Sequence, residues 1–221
     1  MVEQTRFADG NYRSTRAEVR VDQVESRWQE RLPVLTGTRV RLRELQPADA
    51  AALIMFLSTE EMTRFISPPP ASIDGFQRFI AWTIDERSRG MFVTFAVMVD
   101  GLDTPVGMFQ VRRLDRSFEI AEWGFAIASP FWGTGVFEEA ASLTLDFVFS
   151  TLKVHRLEAR AALKNGRGNG ALLKMGAVQE GILRKSLPHN GERLDQVMYS
   201  ILKEDWQARA ALRAGKSIRV H

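Results

Sequence analysis

The chain contains no cysteine in its 221 residues. A disulfide framework, a cysteine-based zinc site and a cysteine acyl-enzyme are thereby excluded, because each needs a thiol. Long apolar runs are missing too. The densest, Phe92 to Val99, covers less than half of the roughly 20 residues that a spanning helix requires, so no membrane passage is expected. Histidine is scarce, and His155, His189 and His221 lie too far apart in sequence to form a metal-binding constellation. An excess of charge in the body of the chain is also absent. Lys and Arg balance Asp and Glu at six against six over residues 1–31 and nineteen against nineteen over 32–202. Only 203–221, with five against two, carries the net charge of +3. No basic field is available to hold a phosphate backbone, so no nucleic-acid partner is expected.

What is present is an ordinary globular composition, 45% hydrophobic and 26% charged, with enough apolar material for one sizeable core. Residues 1–31 alternate acid, base and small polar groups with no apolar stretch of signal-peptide type. They read as an appended arm with a short helix over Val19 to Trp28, and cytoplasmic residence is the expectation. From Val34 the pattern changes. Val40, Leu42 and Leu45 mark a first strand, and Pro47 opens a helix carrying Leu53, Phe56 and Leu57 at helical spacing. After the Pro68 to Pro70 breaker, Ser72 is a candidate N-cap for a helix facing Ile73, Phe76, Ile80 and Ile84 inward, with Gly90 as its stop.

Three strands in quick succession, Phe92 to Val99, Val106 to Leu114 and Phe118 to Ile127, form an expected antiparallel meander. A helix from Val136 to Phe149 follows, with Ala141, Leu145, Val148 and Phe149 inward and Glu138, Ser142 and Asp146 outward. A strand at Arg156 to Leu163 leads through a glycine-rich turn into a short helix ending at Gly176. Closing strands are expected near Val178 to Lys185 and Leu194 to Leu202. This order implies a mixed sheet with helices on both faces.

The strand-to-helix passage from Ile127 to Phe137 is the most informative segment. Gly133 and Gly135 let the backbone bend so that several N–H groups and the positive end of the next helix can aim at one anion, as in a pyrophosphate cradle. An ordinary glycine turn is the plainer alternative. No P-loop lysine follows and the dinucleotide fingerprint is incomplete, which argues against a nucleoside triphosphate or NAD. Gly166, Gly168 and Gly170 also follow a strand, but their spacing does not fit a Rossmann turn.

Strand, Trp132-Gly133-Thr134-Gly135 and acidic-start helix resemble the acetyl-CoA-binding motif of the GNAT superfamily of N-acetyltransferases, Q/R-x-x-G-x-G/A, with Pro130 standing at the Q/R position. The Trp-Gly-x-Gly form is frequent in its RimJ/RimL-like branch, which Leu35 to Arg43 and Gly191 to Ser200 also resemble. The similarity runs from about Leu32 to Trp206. It implies an α/β (α+β) GNAT fold: a mixed, mostly antiparallel sheet of about seven strands, helices on both faces, and a splayed parallel pair at the cofactor cleft. It also implies an acetyl-CoA-dependent N-acetyltransferase without a metal, with an amine acceptor whose identity is left open. Residues 1–31 are then an N-terminal arm, 32–206 the acetyltransferase domain and 207–221 a basic C-terminal tail. The arms could pair subunits into a homo-oligomer or shield the acceptor groove.

Carried over from the resemblance, the cofactor-binding residues are Ile127, Ala128, Trp132, Gly133, Thr134, Gly135, Val136, Phe137 and Asn165. Asn165 is expected to hydrogen-bond the pantetheine arm or to cap the following helix. The family's serine in that helix is Gly168 here, and no serine or tyrosine lies between Asn165 and Gly176 to protonate a departing thiolate. Acyl transfer to an amine requires a neutral nitrogen, so a proton must be received. Glu122, on one strand face with Phe118, Ile120, Gly124 and Ala126, is the candidate general base, its carboxyl raised by an apolar surround. An arginine pair is the plainer reading of it. A backbone N–H near Ile127 suits an oxyanion. Tyr199 is a substitute acid or a core residue, with core preferred, and Phe65 and Pro68 to Pro70 lie where the family forms its acceptor groove. The rival from another class is a CoA-binding regulatory or assembly protein that has lost transfer.

Overall fold

A computed structural model describes residues 27–66 and 68–217, with side chains through Leu212. The expected helix over Val19 to Trp28 falls almost wholly outside the described residues, which open on a turn at Trp28 to Glu30. Eight strands form one sheet: β1 (Leu35–Thr36), β2 (Val40–Glu44), β3 (Phe92–Val99), β4 (Gly107–Arg113), β5 (Ile120–Ile127), β6 (Arg156–Ala162), β7 (Val178–His189) and β8 (Glu192–Leu202). Their order is β1-β2-β3-β4-β5-β6-β8-β7. All neighbours are antiparallel except β5 and β6. The helices are α1 (Ala50–Leu57), α2 (Glu60–Thr63), α3 (Ile73–Ser88), α4 (Val136–Ser150), α5 (Gly166–Lys174) and α6 (Lys203–Ser217).

The meander forms where alternation and short turns predict it, with Leu42 opposite Val97, Phe95 opposite Phe109, and Phe109 opposite Phe125. β3 is buried on both faces over nearly its whole length, which is why it reads as an apolar run interrupted only by Thr94 rather than an alternating one. One face, with Val93, Phe95, Phe109, Trp123 and Leu157, packs on Ala141, Leu145 and Val148 of α4 and Leu172 of α5. The other, with Ala96 and Met98, packs on Leu53 and Leu57 of α1 and Phe76 and Ile80 of α3. Ser72 caps α3 as expected, accepting the Gly75 N–H at 3.0 Å. Gly90 follows with φ +70°, a left-handed stop.

The sheet departs from expectation at its margins. β1 is only two residues long, and β7 runs to His189 rather than Lys185 because the β7–β8 pairing resumes at Leu187–Leu194 after an irregular stretch. The core also takes in Trp28, whose ring meets Phe118 edge-on at 5.8 Å, while Arg87 donates to the Trp28 and Gln29 carbonyls. At the other end, α6 begins before residue 207 and is fastened by its first turns. Trp206 Nε1 donates to Asp146 at 2.8 Å and Arg209 to the Lys174 carbonyl at 3.0 Å. No helix among the described residues is long and apolar enough to cross a membrane.

Candidate active site

The parallel pair is short. β5 and β6 are joined only from Ile120–Arg156 to Glu122–Glu158, and β5 then continues to Ile127 with no partner on that side. Ala128 donates its N–H to Val106 O at 2.8 Å, toward β4. Successive residues of a strand send their main-chain groups to opposite edges, so Ile127 and Phe125 turn theirs toward the gap that β6 has left. At Ile127 the carbonyl accepts the Trp132 indole N–H at 2.6 Å, which leaves the N–H facing the opening.

Beyond the strand the chain makes a 3-10 turn at Ser129–Phe131 and then bends at Gly133 (φ +74°) and Gly135 (φ +89°). This is left-handed backbone that a side chain would strain. Thr134 Oγ1 ties the bend by donating to Phe131 O at 2.7 Å. α4 then starts without a side-chain cap. Its orphan donors run from Gly135 to Glu138, and among the described residues only Val136 reaches a partner, Thr134 Oγ1 at 3.5 Å. Together with the positive end of a fifteen-residue helix, these N–H groups suit a diphosphate.

Two acids in the first turn of α4 would oppose an anion, yet both are engaged. Lys174 of α5 pairs with Glu138, and its hydrogen bond holds that carboxyl below the usual range. Glu139 accepts the N–H groups of Thr38 and of Arg39, the latter at 2.9 Å, and so stitches the β1–β2 turn to the helix. The Arg39 guanidinium stays beside Gly135, where one nitrogen would lie 2.7 Å from an added Cβ. Arg167 sits over the Trp132 ring at 3.9 Å, a cation–π contact at the mouth of the same opening. Basic groups thus gather around the bend although the body of the chain is neutral.

The opening is a cleft of about 480 Å³ lined by Phe125, Ala126 and Ile127, by Trp132, Gly133 and Phe137, by α5, and by Glu61 to Ile66 except Thr63. Of the expected cofactor-binding residues, Ile127, Trp132, Gly133, Phe137 and Asn165 line it directly. Gly135 and Val136 open α4, Thr134 braces the bend, and Ala128 holds β5 to β4. Asn165 caps α5, its Oδ1 accepting the Gly168 N–H at 2.9 Å. Tyr199 is core: it is buried, desolvation pushes its phenol upward, and its hydroxyl donates to Asn169 Oδ1 at 3.0 Å. No group of three metal-binding side chains occurs among the described residues.

Glu122 does not have the apolar surround expected of it. Arg112 is its direct cross-strand partner in register, at 2.5 Å, and Arg160, one rung on from Glu158, lies at 3.5 Å. Cross-strand neighbours on one face are within reach of each other, so two guanidiniums reach its oxygens. The carboxylate lies on the same face as Gly124 and Ala126, outside the cleft lining. Phe65, by contrast, is in the cleft wall, and Pro68 and Pro69 line a second, open cavity of about 880 Å³ between α2 and the β7–β8 tip at His189 and Asn190. Sequence reasoning missed α2 itself. Four residues are too few to show a period, although Thr59 followed by Glu60 and Glu61 is an N-terminus signature.

Residues 39–178 match the Acetyltransferase (GNAT) domain family. The uncharacterized N-acetyltransferase p20 of Bacillus licheniformis is 27% identical over 176 residues, 79% of this chain and 99% of its own length. The ribosomal protein uS5 alanine N-acetyltransferase of Escherichia coli strain K12 is 27% identical over 180 residues, 78% of this chain and 92% of its own. Among solved structures, Mycobacterium smegmatis RimJ in complex with CoA-disulfide superposes with a TM-score of 0.72 at 23% identity, covering 82% of this chain and 91% of that one. That last likeness is one of fold.

Proposed function

Because the chain belongs to the GNAT acetyltransferase family, we propose that it moves an acetyl group from acetyl-CoA to a primary amine by direct attack, with no covalent enzyme intermediate. One observation carries the reading. The sheet opens after Glu122 and Glu158, and the Gly133–Gly135 bend leads into the uncapped start of α4 beside that opening. Opening and bend adjoin one cleft, which suits a ligand with a diphosphate at one end and an extended amide-bearing arm at the other. The four N–H groups from Gly135 to Glu138 would receive the diphosphate, with Arg39 and Arg167 beside them. The open edge at Phe125 and Ile127 would pair with the arm as a strand does. Ile127 N–H would polarise the thioester carbonyl, a contribution worth about 3 kcal/mol when preorganised.

Acceptor amines of two kinds fit the second cavity, a protein N-terminus or a small amine. Relatives that modify ribosomal proteins make the first worth testing before the second. The family pattern would give the proton to Glu122, but two arginines hold its oxygens and it lines neither cavity, so Glu122→Gln tests that reading directly. The experiment is acetyl-CoA thiol release over free-amine peptides, polyamines and aminoglycosides, with Glu122→Gln beside the unaltered chain. Turnover with at least one amine is expected; turnover unaffected by Glu122→Gln would remove that base while sparing the enzyme. A CoA-binding regulatory role draws on Gly168, which brings no hydroxyl to the cleft, and tight binding without thiol release would favour it.

A further inference from the structure

Two cavities flank α2, the cofactor cleft and the open groove beside the proline loop. Among the described residues, only Glu61 and Arg64 line both. Arg64 lies against the ring of its neighbour Phe65, 5.3 Å from its centroid. Glu61 has no hydrogen bond or ion pair among the described residues. It is nonetheless firmly placed. Met62 beside it is buried in the core under α1 and α3, Thr59 Oγ1 accepts the Met62 N–H at 3.4 Å, and Thr63 N–H returns to Thr59 O at 3.0 Å.

We propose that Glu61 is the residue that meets the acceptor amine, holding its ammonium where groove and cleft join and taking its proton, directly or through one water. The assignment rests on the acetyl-transfer reading above. The other carboxylates near the site are disqualified one by one. Glu122 lines neither cavity and its oxygens are taken by Arg112 and Arg160. Glu138 lines the cleft but is paired with Lys174. Glu60 reaches the groove only, and so does His189, whose Nε2 lies 3.2 Å from Asn190 Nδ2. Arg167 is the remaining cation in the cleft, and it is drawn over Trp132. To an ammonium arriving along the groove, Glu61 therefore offers carboxylate oxygens that no cation among the described residues shares.

In the step itself, one N–H bond of the acceptor breaks and its proton passes to a Glu61 oxygen. The nitrogen lone pair forms the new C–N bond. The C–S bond of the thioester then breaks and its electron pair leaves with sulfur; the nitrogen gives up its second proton, by way of water, to the thiolate, and Glu61 returns the first to solvent, leaving a neutral amide and a thiol. No further reactant is needed.

The test uses the full chain with acetyl-CoA and whichever primary amine gives the fastest thiol release, followed over a range of roughly pH 6 to 9. Glu61→Gln is expected to lower kcat/KM for the amine by about a hundredfold or more and to change the shape of its pH profile. Acetyl-CoA affinity in calorimetry should stay within about twofold, which also reports that the variant is folded. Glu61→Asp should restore part of the rate, and Asp103→Asn, at an exposed position that lines neither cavity, should change it only about threefold or less. Wild-type rates and an unaltered pH profile in Glu61→Gln would overturn the assignment and leave the transferase intact. Acetyl-CoA binding by the unaltered chain with no thiol release to any amine would overturn the transferase reading and this assignment with it.

Discussion

The two ends of the site are built from different materials. At the end proposed for the cofactor the groups on offer are main chain: a strand edge, a left-handed bend and a helix start, with Glu138 and Glu139 both committed to internal partners. At the groove end the walls are side chains on a four-residue helix, a proline loop and a hairpin tip, and Glu61 there is committed to nothing described. The difference follows from what each end must recognise. An invariant ligand can be met by backbone geometry, which few substitutions alter. A variable one is met by side chains, which any substitution alters.

The comparison can be broken most sharply at the bend. Replacing Gly133 and Gly135 by alanine forces two residues into left-handed backbone at about 1–2 kcal/mol each. Relief of that strain closes the cradle, so acetyl-CoA affinity should fall by roughly thirty- to a thousandfold in calorimetry. Unchanged affinity would mean that the main chain does not do the gripping. Next in size, Trp132→Phe removes the indole N–H from Ile127 O and frees that peptide to turn. A loss of about 1 kcal/mol, or roughly fivefold in affinity, is expected. Arg167→Ala should cost less, about twofold to fivefold, and the loss should shrink as salt is raised, because the guanidinium acts as a screened charge. A larger loss at Arg167 than at the glycines would reverse the ranking of main chain over side chain.

The smallest effect lies on the groove side of the sheet. Arg156 of β6 reaches across β8 to Glu180 of β7 at 2.5 Å, and this hydrogen bond, with one from Ser200, pulls the Glu180 carboxyl from 4.5 to about 2. Because the folded-state value is depressed, the stabilisation is complete above pH 4.5 and is lost as the pH falls toward about 2. Glu180 is partly exposed, so solvent screening holds the contribution to less than about 1 kcal/mol. Denaturant midpoints of Glu180→Gln and the unaltered chain should therefore converge on acidification over that window. A gap that widens instead would put the ion pair's sign in error.

Much of this fold is legible without coordinates, for reasons that differ by segment. The meander from Phe92 to Ile127 is local, so short turns and alternation suffice to predict it. Ser72 and Gly90 bracket α3 through chemistry that acts within three residues. β1, α2 and the far half of β7 are invisible because their pattern depends on a partner: two or four residues cannot show a period, and β7 is exposed along most of its length. At the site, the glycine bend is readable because left-handed backbone selects glycine. The fate of Glu122 was not, since it turns on register. Only the pairing of Arg112 opposite it, and Arg160 one rung beyond, shows that its apolar strand neighbours do not determine its surroundings. Glu61 carries no signal of its own, because its position follows from where Met62 is buried.

Glu139 has a mechanical consequence. Its carboxylate grips the turn between the outermost strands and stands in the opening coil of the helix that faces the cleft. The rim of the sheet and the mouth of the cleft are therefore joined through one carboxylate, so that a displacement of the turn between the outermost strands would bear directly on that coil.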